Sequence, residues 1–445
     1  MRHVLGPLGI LLVLFSTAIV RAAGVPAHIP TWAFDEYRAQ GKNATAEEVR
    51  RYITYAEGGL GNDKSVRDCS GSSHQCFSLF YFDPSLIYVS SECPFAAYRT
   101  FLTQASEDWF IHLKGYTDPE HRVQGTYTQT CKGSRIKIPV YEANQANPAV
   151  RSFFANYLRR TADAWDYYEM DDTSDSLLTQ FYGPGGGFCH GLCASTEELA
   201  DDDAVVRAHG TFADSLTHSN GSPMKFFFNG LTFTNRNSPV PRLFQRGGQF
   251  VGVICENCIV NNGTLRPNMF EKVLDAMAAI DQTPGASFVE LNTGKSAAGS
   301  DDQITQRLVT TAVAWLGFSE GHTIVWPDLE FNTSNLAVWP EDGIYPTAPV
   351  ETMSRSAGAI SVEPGVWRRE FSACYESGKP IGACAAVLNG SGGVVTVRPE
   401  WMRLQYHHTI ALSGGDTLSG GTISRVSSDT NSVQIQPGQA VLLVR

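Results

Sequence analysis

The sequence lacks the marks of several large functional classes. Its 34 Lys and Arg are outnumbered by 45 Asp and Glu, for a net charge of -11. A nucleic-acid binder shows the opposite balance, with basic residues clustered on one face. Beyond the first twenty or so residues, no apolar run is long enough to span a bilayer. No Gly-x-Gly-x-x-Gly follows the first strand candidate, so the phosphate-cradling turn of a dinucleotide-binding open sheet is missing. Helical periodicity stops near residue 365 and does not return. No cofactor and no resident metal are expected, and nothing in the sequence sets an oligomeric state.

What is present points to secretion. Arg2 and His3 precede an apolar run from about Val4 to Val20, and Val20-Arg21-Ala22 offers small residues where a signal peptidase reads. Residues 1–22 are therefore expected to be a signal peptide. The ten cysteines are Cys69, Cys76, Cys93, Cys131, Cys189, Cys193, Cys255, Cys258, Cys374 and Cys384. The count is even and neighbours could pair, with Cys374 and Cys384 stapling a hairpin, but spacing alone does not give the connectivity. Cys189-His190-Gly191-Leu192-Cys193 with Cys255-Glu256-Asn257-Cys258 also reads as a zinc site; an oxidising compartment favours disulfides. Sequons at Asn43, Asn220, Asn262, Asn332 and Asn389 would be surface points if used.

Eight short apolar runs alternate with helical segments. They are Ile29–Phe34, Phe77–Phe82, Trp109–Leu113, Trp165–Met170, Lys225–Asn229, Phe250–Cys255, Ser287–Leu291 and His322–Trp326. The Gly58–Ser73 stretch reads as a loop. Asn147-Pro148 opens a helix with Phe153, Phe154, Tyr157 and Leu158 on one face. Asp301 or Asp302 caps another. This βα repeat predicts a (β/α)8 TIM barrel over residues 23–345. From 365 to 445, short runs between turn residues predict an antiparallel β-sandwich, with 340–364 as the connection.

In α/β barrels the chemistry gathers at the C-terminal ends of the strands. Acids stand there: Asp171 and Asp172 after the fourth run, Glu256 after the sixth, Glu290 within the seventh, and Asp328 and Glu330 past the eighth. Two facing carboxyls, one ionised and one protonated, are the minimum for cleaving a glycosidic bond. Glu256, flanked by Cys255 at the end of an apolar strand, suits the proton donor; Asp171 suits the ionised partner. Acids at strand ends also cap helices, which weighs against Glu290. Asp172, Glu290, His112, Asn229 and Trp326 are the candidates for holding the substrate.

Some motifs resemble a known group. Asn147-Pro148-x-Val150-Arg151-x-Phe153-Phe154, followed by Asp166-Tyr167-Tyr168-Glu169-Met170-Asp171-Asp172, resembles a signature of TIM-barrel glycoside hydrolases. Glu107–His112 is similar to their third strand, and Gly365–Phe371 to the start of their C-terminal β domain. The acids after strands four and six are placed as in the α-galactosidase clan. The resemblance implies Asp171 as nucleophile and Glu256 as acid/base, acting with retention on a carbohydrate. Tyr167 replaces the group's glycine, and Glu stands at strand six where the clan has Asp. Two other readings remain: a non-catalytic carbohydrate-binding protein on a degenerate barrel, and a metal-dependent hydrolase using Asp171, Asp172 and a rim histidine.

Overall fold

Runs such as Phe77–Phe82 and Phe226–Asn229 are aromatic, and such residues suit a strand covered on both faces. In a computed structural model they lie in one eight-stranded parallel sheet. The structure describes residues 32–34, 58–60, 77–89, 96–113, 115–131, 134–171, 173, 202–229, 249–261, 263–291, 300–319, 323–326, 339–353, 357–414, 421–428 and 432–445. The expected signal peptide, Asp172 and the Cys189–Cys193 segment lie outside them.

The parallel strands are β1 (Trp32–Phe34), β2 (Gly58–Leu60), β3 (Phe77–Phe82), β4 (Tyr167–Met170), β5 (Phe226–Asn229), β6 (Phe250–Glu256), β7 (Ser287–Leu291) and β8 (Thr323–Trp326). Their spatial order is their chain order, as right-handed βα crossovers give. Cα atoms of β1 and β8 approach within 8 Å, but among the described residues no hydrogen-bonded ladder joins them.

One expected strand and one expected loop need correcting. Trp109–Leu113 is not in this sheet. Glu107–Trp109 is a 3-10 turn, and Phe110 and His112 make isolated bridges to Ala143 and Arg122. The sheet gains β2 instead, from the glycine-rich stretch read as a loop. Trp109 is buried beside Phe101 and Phe153, so its apolar run serves packing against helices. The long connection after it carries its own strands, Gln124–Cys131 and Ser134–Glu142, paired as a hairpin with Leu86–Tyr88 alongside.

The helices among the described residues are α1 (Ala96–Gln104), α2 (Pro148–Thr161), α3 (Asp202–Ser215), α4 (Phe270–Asp281) and α5 (Asp301–Leu316). Asn147 caps α2 by accepting from the Ala149 amide, with Pro148 in the first turn. The α5 cap is Ser300, not Asp301 or Asp302; its hydroxyl accepts from the Gln303 amide. Every second residue of β3, β4 and β5 (Phe80, Phe82, Tyr168, Met170, Phe226, Phe228) packs into the helix-facing core. The intervening residues, Tyr81, Glu169, Phe227 and Asn229, belong to the opposite face.

The C-terminal region is an antiparallel seven-stranded sheet with a two-stranded ribbon, Val395–Thr396 with Gln434–Ile435, on its far side. Its strands include β9 (Ile344–Pro349), β10 (Val366–Glu376) and β11 (Lys379–Asn389). Ile344–Pro349 and Ser361–Glu363, within the stretch read as a connection, both pair with β10. Phe371, Leu388 and Leu442 share one core with α4 and α5; Val366, Val387 and Trp401 form a second core under the ribbon. Arg369 donates to the carbonyls of Leu316 and Phe318, satisfying the end of α5. Cys374–Cys384 is a disulfide across β10 and β11. Asn389 begins one of the five sequons. It is fully buried, and its amide donates to the carbonyls of Gly393 and Ile435, so it is no surface point.

Candidate active site

Four consecutive strands deliver polar groups to one edge. Asp83 follows β3, Asp171 follows β4, Asn229 ends β5 and Glu256 ends β6. Parallel pairing sets them level: Phe82 pairs with Met170, and the Asp171 amide donates to the Phe82 carbonyl at 3.0 Å.

Asn229 joins the two expected catalytic acids. Its Nδ2 donates to Asp171 Oδ1 at 2.9 Å and to Glu256 Oε2 at 2.6 Å. Both bonds meet at one atom, so the acceptor oxygens lie no more than ~5.5 Å apart. The second oxygen of Asp171 accepts from the Tyr81 hydroxyl. The second oxygen of Glu256 accepts from Asn257 Nδ2 at 3.2 Å.

The electrostatics separate the acids. Burial and the neighbouring Asp171 charge raise the Glu256 carboxyl above the ordinary glutamate range, while its two amide donors pull it down. Glu256 keeps a solvent-exposed side although its carboxyl is closely surrounded, as for a group on the floor of an open depression; water there screens part of the shift. Burial, then the Asp171 charge, push the Tyr81 phenol well above its usual value, so it stays a donor.

Asp83 is 1% exposed and accepts from the amides of Ser85 and Leu86 through one oxygen. Burial and Asp171 push its carboxyl up against those donors. From Ser85 a buried chain runs outward. Its Oγ lies 3.3 Å from Thr173 Oγ1 and accepts from Gln145 Nε2, and Gln145 Oε1 accepts from His209 Nδ1 at 2.8 Å. The chain ties the segments after β3 and β4 to α3. Burial lowers His209 to about 4, so it is neutral.

The other expected substrate-holding residues are placed as follows. His112 hydrogen-bonds Glu107, which also pairs with Arg122, on the insertion after β3. Glu290 is the register partner of Cys255; Leu291 is the partner of Glu256 and of Trp326. Asp172 lies outside the described residues. Sequence reasoning passed over Tyr81, Asp83 and Asn257. A signal for Asp83 exists in the sequence: Asp83-Pro84 follows the apolar run Phe77–Phe82 as Asp171 follows Trp165–Met170. Cys255 and Cys258, on either side of Glu256 and Asn257, form a disulfide.

No protein-family model matches the sequence, and no curated protein matches it. Solved structures similar to the chain include glycoside hydrolases. One is the α-galactosidase TtGalA of Thermus thermophilus, at 12% identity and TM-score 0.37, covering 68% of this chain and 59% of that one. Another is α-galactosidase AgaA of Geobacillus stearothermophilus, at 11% and 0.39, covering 94% of this chain and 56% of that one. A third is an α-amylase of Geobacillus thermoleovorans, at 9% and 0.38, covering 94% and 98%. The chain thus spans a little over half the length of the two α-galactosidases.

Proposed function

We propose that the chain is a secreted glycoside hydrolase that cleaves O-glycosidic bonds of an oligo- or polysaccharide with retention. The observation that carries this is the pair of carboxyls on one amide nitrogen, their nearest oxygens within ~5.5 Å. Retaining enzymes hold their acids at about 5–5.5 Å; inverting enzymes need about 6.5–9.5 Å to admit a water. Asp171, hydrogen-bonded on both oxygens by neutral donors, is suited to stay ionised. Glu256, raised by burial and by Asp171, is suited to hold a proton.

In this reading Asp171 attacks the anomeric carbon as Glu256 protonates the departing oxygen, leaving a glycosyl ester and an ionised Glu256. Glu256 then takes a proton from water as that water's oxygen displaces Asp171, which restores both acids. The eight-stranded sheet is read as a barrel closed between β8 and β1, with the chain from Ile344 onward as a C-terminal β unit and residues 1–22 as the removed signal peptide.

The test is a panel of aryl glycosides and cell-wall polysaccharides, with product anomers followed by NMR. Asp171→Asn should abolish turnover with the fold intact, because an amide cannot form the ester. Glu256→Gln should slow poor leaving groups most. Turnover that survives both changes would overturn the reading; binding without turnover would point to a carbohydrate-binding protein.

A further inference from the structure

The disulfide beside Glu256 is an odd place to spend two cysteines on stability. Cys255 and Cys258 enclose only Glu256 and Asn257, and closing so short a loop removes little entropy from the unfolded chain. Cys374–Cys384 spans a separation of 10 across two strands and is the better stabiliser on that account.

Its position suggests another role. On one side Glu256 is laddered to Leu291 of β7. On the other, Asn229 at the end of β5 pairs with Ile254 and donates to the Glu256 carboxyl. Beyond Glu256 the chain turns at Asn257, whose φ of 57° lies in the left-handed region. The Asn257 side chain donates to Glu256 Oε1, and its carbonyl accepts from Arg266 Nη1 at 2.8 Å. The disulfide closes this turn, with Cys255 fully buried and Cys258 4% exposed.

We propose that the Cys255–Cys258 disulfide is a clamp on the turn beyond β6 that holds the Glu256 carboxyl against Asn229 and Asn257. It rests on the reading of Glu256 as acid/base. Without the bond, the turn at Asn257 relaxes and the carboxyl swings towards water. Among the described residues, the groups facing that carboxyl are Asp171, reached through Asn229, and Asn257; the Arg266 guanidinium donates to the Asn257 carbonyl. Loss of the clamp weakens contact with the Asp171 charge and loosens the proton-donating geometry together.

The experiment compares Cys255→Ala/Cys258→Ala with Cys374→Ala/Cys384→Ala, in the full chain. Titration of the Glu256 side-chain carboxyl by 13C NMR is the readout that needs no activity. In the first variant its midpoint should fall by about half a pH unit or more towards an ordinary glutamate; in the second it should stay while the melting temperature drops. Turnover of glycosides with poor leaving groups should fall about tenfold or more in the first variant, with activated aryl glycosides nearly spared and KM little changed. Should the alanine pair fail to fold, Cys255→Val/Cys258→Ser keeps the buried side filled and gives the same two readouts. An unmoved midpoint overturns the clamp whatever the activity. If the wild type turns over no glycoside, the proposed function fails, while the titration still decides the clamp.

Discussion

Tyr81 on β3 donates its phenolic proton to Asp171 at the end of β4, so the strand beside the acid fixes its carboxylate. Burial and the Asp171 charge push that phenol well above its ordinary value, and it remains a donor at any working pH. Tyr81→Phe keeps the ring and removes the bond. A hydrogen bond to a charged group is worth about 1.5–3 kcal/mol, so kcat should fall about 10- to 100-fold. The melting temperature should move little, because the lost partner is an acid that Asn229 still holds. Steady-state kinetics on an aryl glycoside, with a thermal scan alongside, separate the effects; unchanged kcat would remove Tyr81 from the site.

Gly252 and Phe227 are tied by space. A Cβ on Gly252 would lie 1.9 Å from Phe227 Cε1 and 2.1 Å from its Cδ1. The ring is buried and packs against Tyr167, with centroids 5.5 Å apart. Gly252→Ala should cost about 3 kcal/mol in denaturant unfolding. Adding Phe227→Leu should restore part of it, because the shorter side chain vacates the position. Equal costs for the single and double variants would show that the strand, and not the ring, suffers.

These pairs show what a sequence reveals. Ser287–Leu291 has the same bounds in the sequence and in the sheet, because an apolar run between turn residues is a local signal. Gly58-Gly59-Leu60 joins the same sheet with two glycines and only one side chain to show a period. Trp109–Leu113 carries the right composition for a strand, yet Trp109 packs on Phe101 and Phe153; burial by helices and burial in a sheet leave the same trace in a short apolar run. At the site, Asp171 and Glu256 could be named because strand ends are readable. The shared nitrogen of Asn229 depends on register between β4, β5 and β6, which no single stretch encodes.

His209 should make the protein sensitive to mild acid. Burial lowers it to about 4 in the folded state from 6.5. The unfolded chain therefore binds the extra proton between pH 6.5 and about 4, and stability falls as pH falls through that window, by about 3 kcal/mol from this group. Asp83 has the opposite sign: its raised carboxyl adds stability at low pH that is lost as pH rises through its folded value. Glu107, held down to about 2 mainly by Arg122, matters only below about 4.5. His209→Gln should flatten the stability profile between pH 4 and 6.5, leaving the limb below pH 4 in place. Denaturant unfolding at a series of pH values measures it, and a profile unchanged by the substitution would rule His209 out as the source.

Asn229 gives the most direct test of the paired acids, because two substitutions of different size make opposite demands. Asn229→Ala deletes the common donor; each carboxyl loses one charge-assisted bond, and kcat should fall about 10²–10³-fold by analogy with the loss of a preorganised donor. Asn229→Asp is nearly isosteric, yet it replaces a donor to both acids by a third acceptor between them. If steric fit governed this position, the aspartate would be the milder change. If the shared donor governs it, the aspartate is worse: like charges at this spacing favour protonation, so Glu256 should titrate higher and any remaining turnover should shift with it. The expected order is wild type, then alanine, then aspartate, in kcat, with the 13C midpoint of Glu256 higher in the aspartate variant than in the wild type. An aspartate variant more active than the alanine one would show that the amide fills space between Asp171 and Glu256 without coupling them.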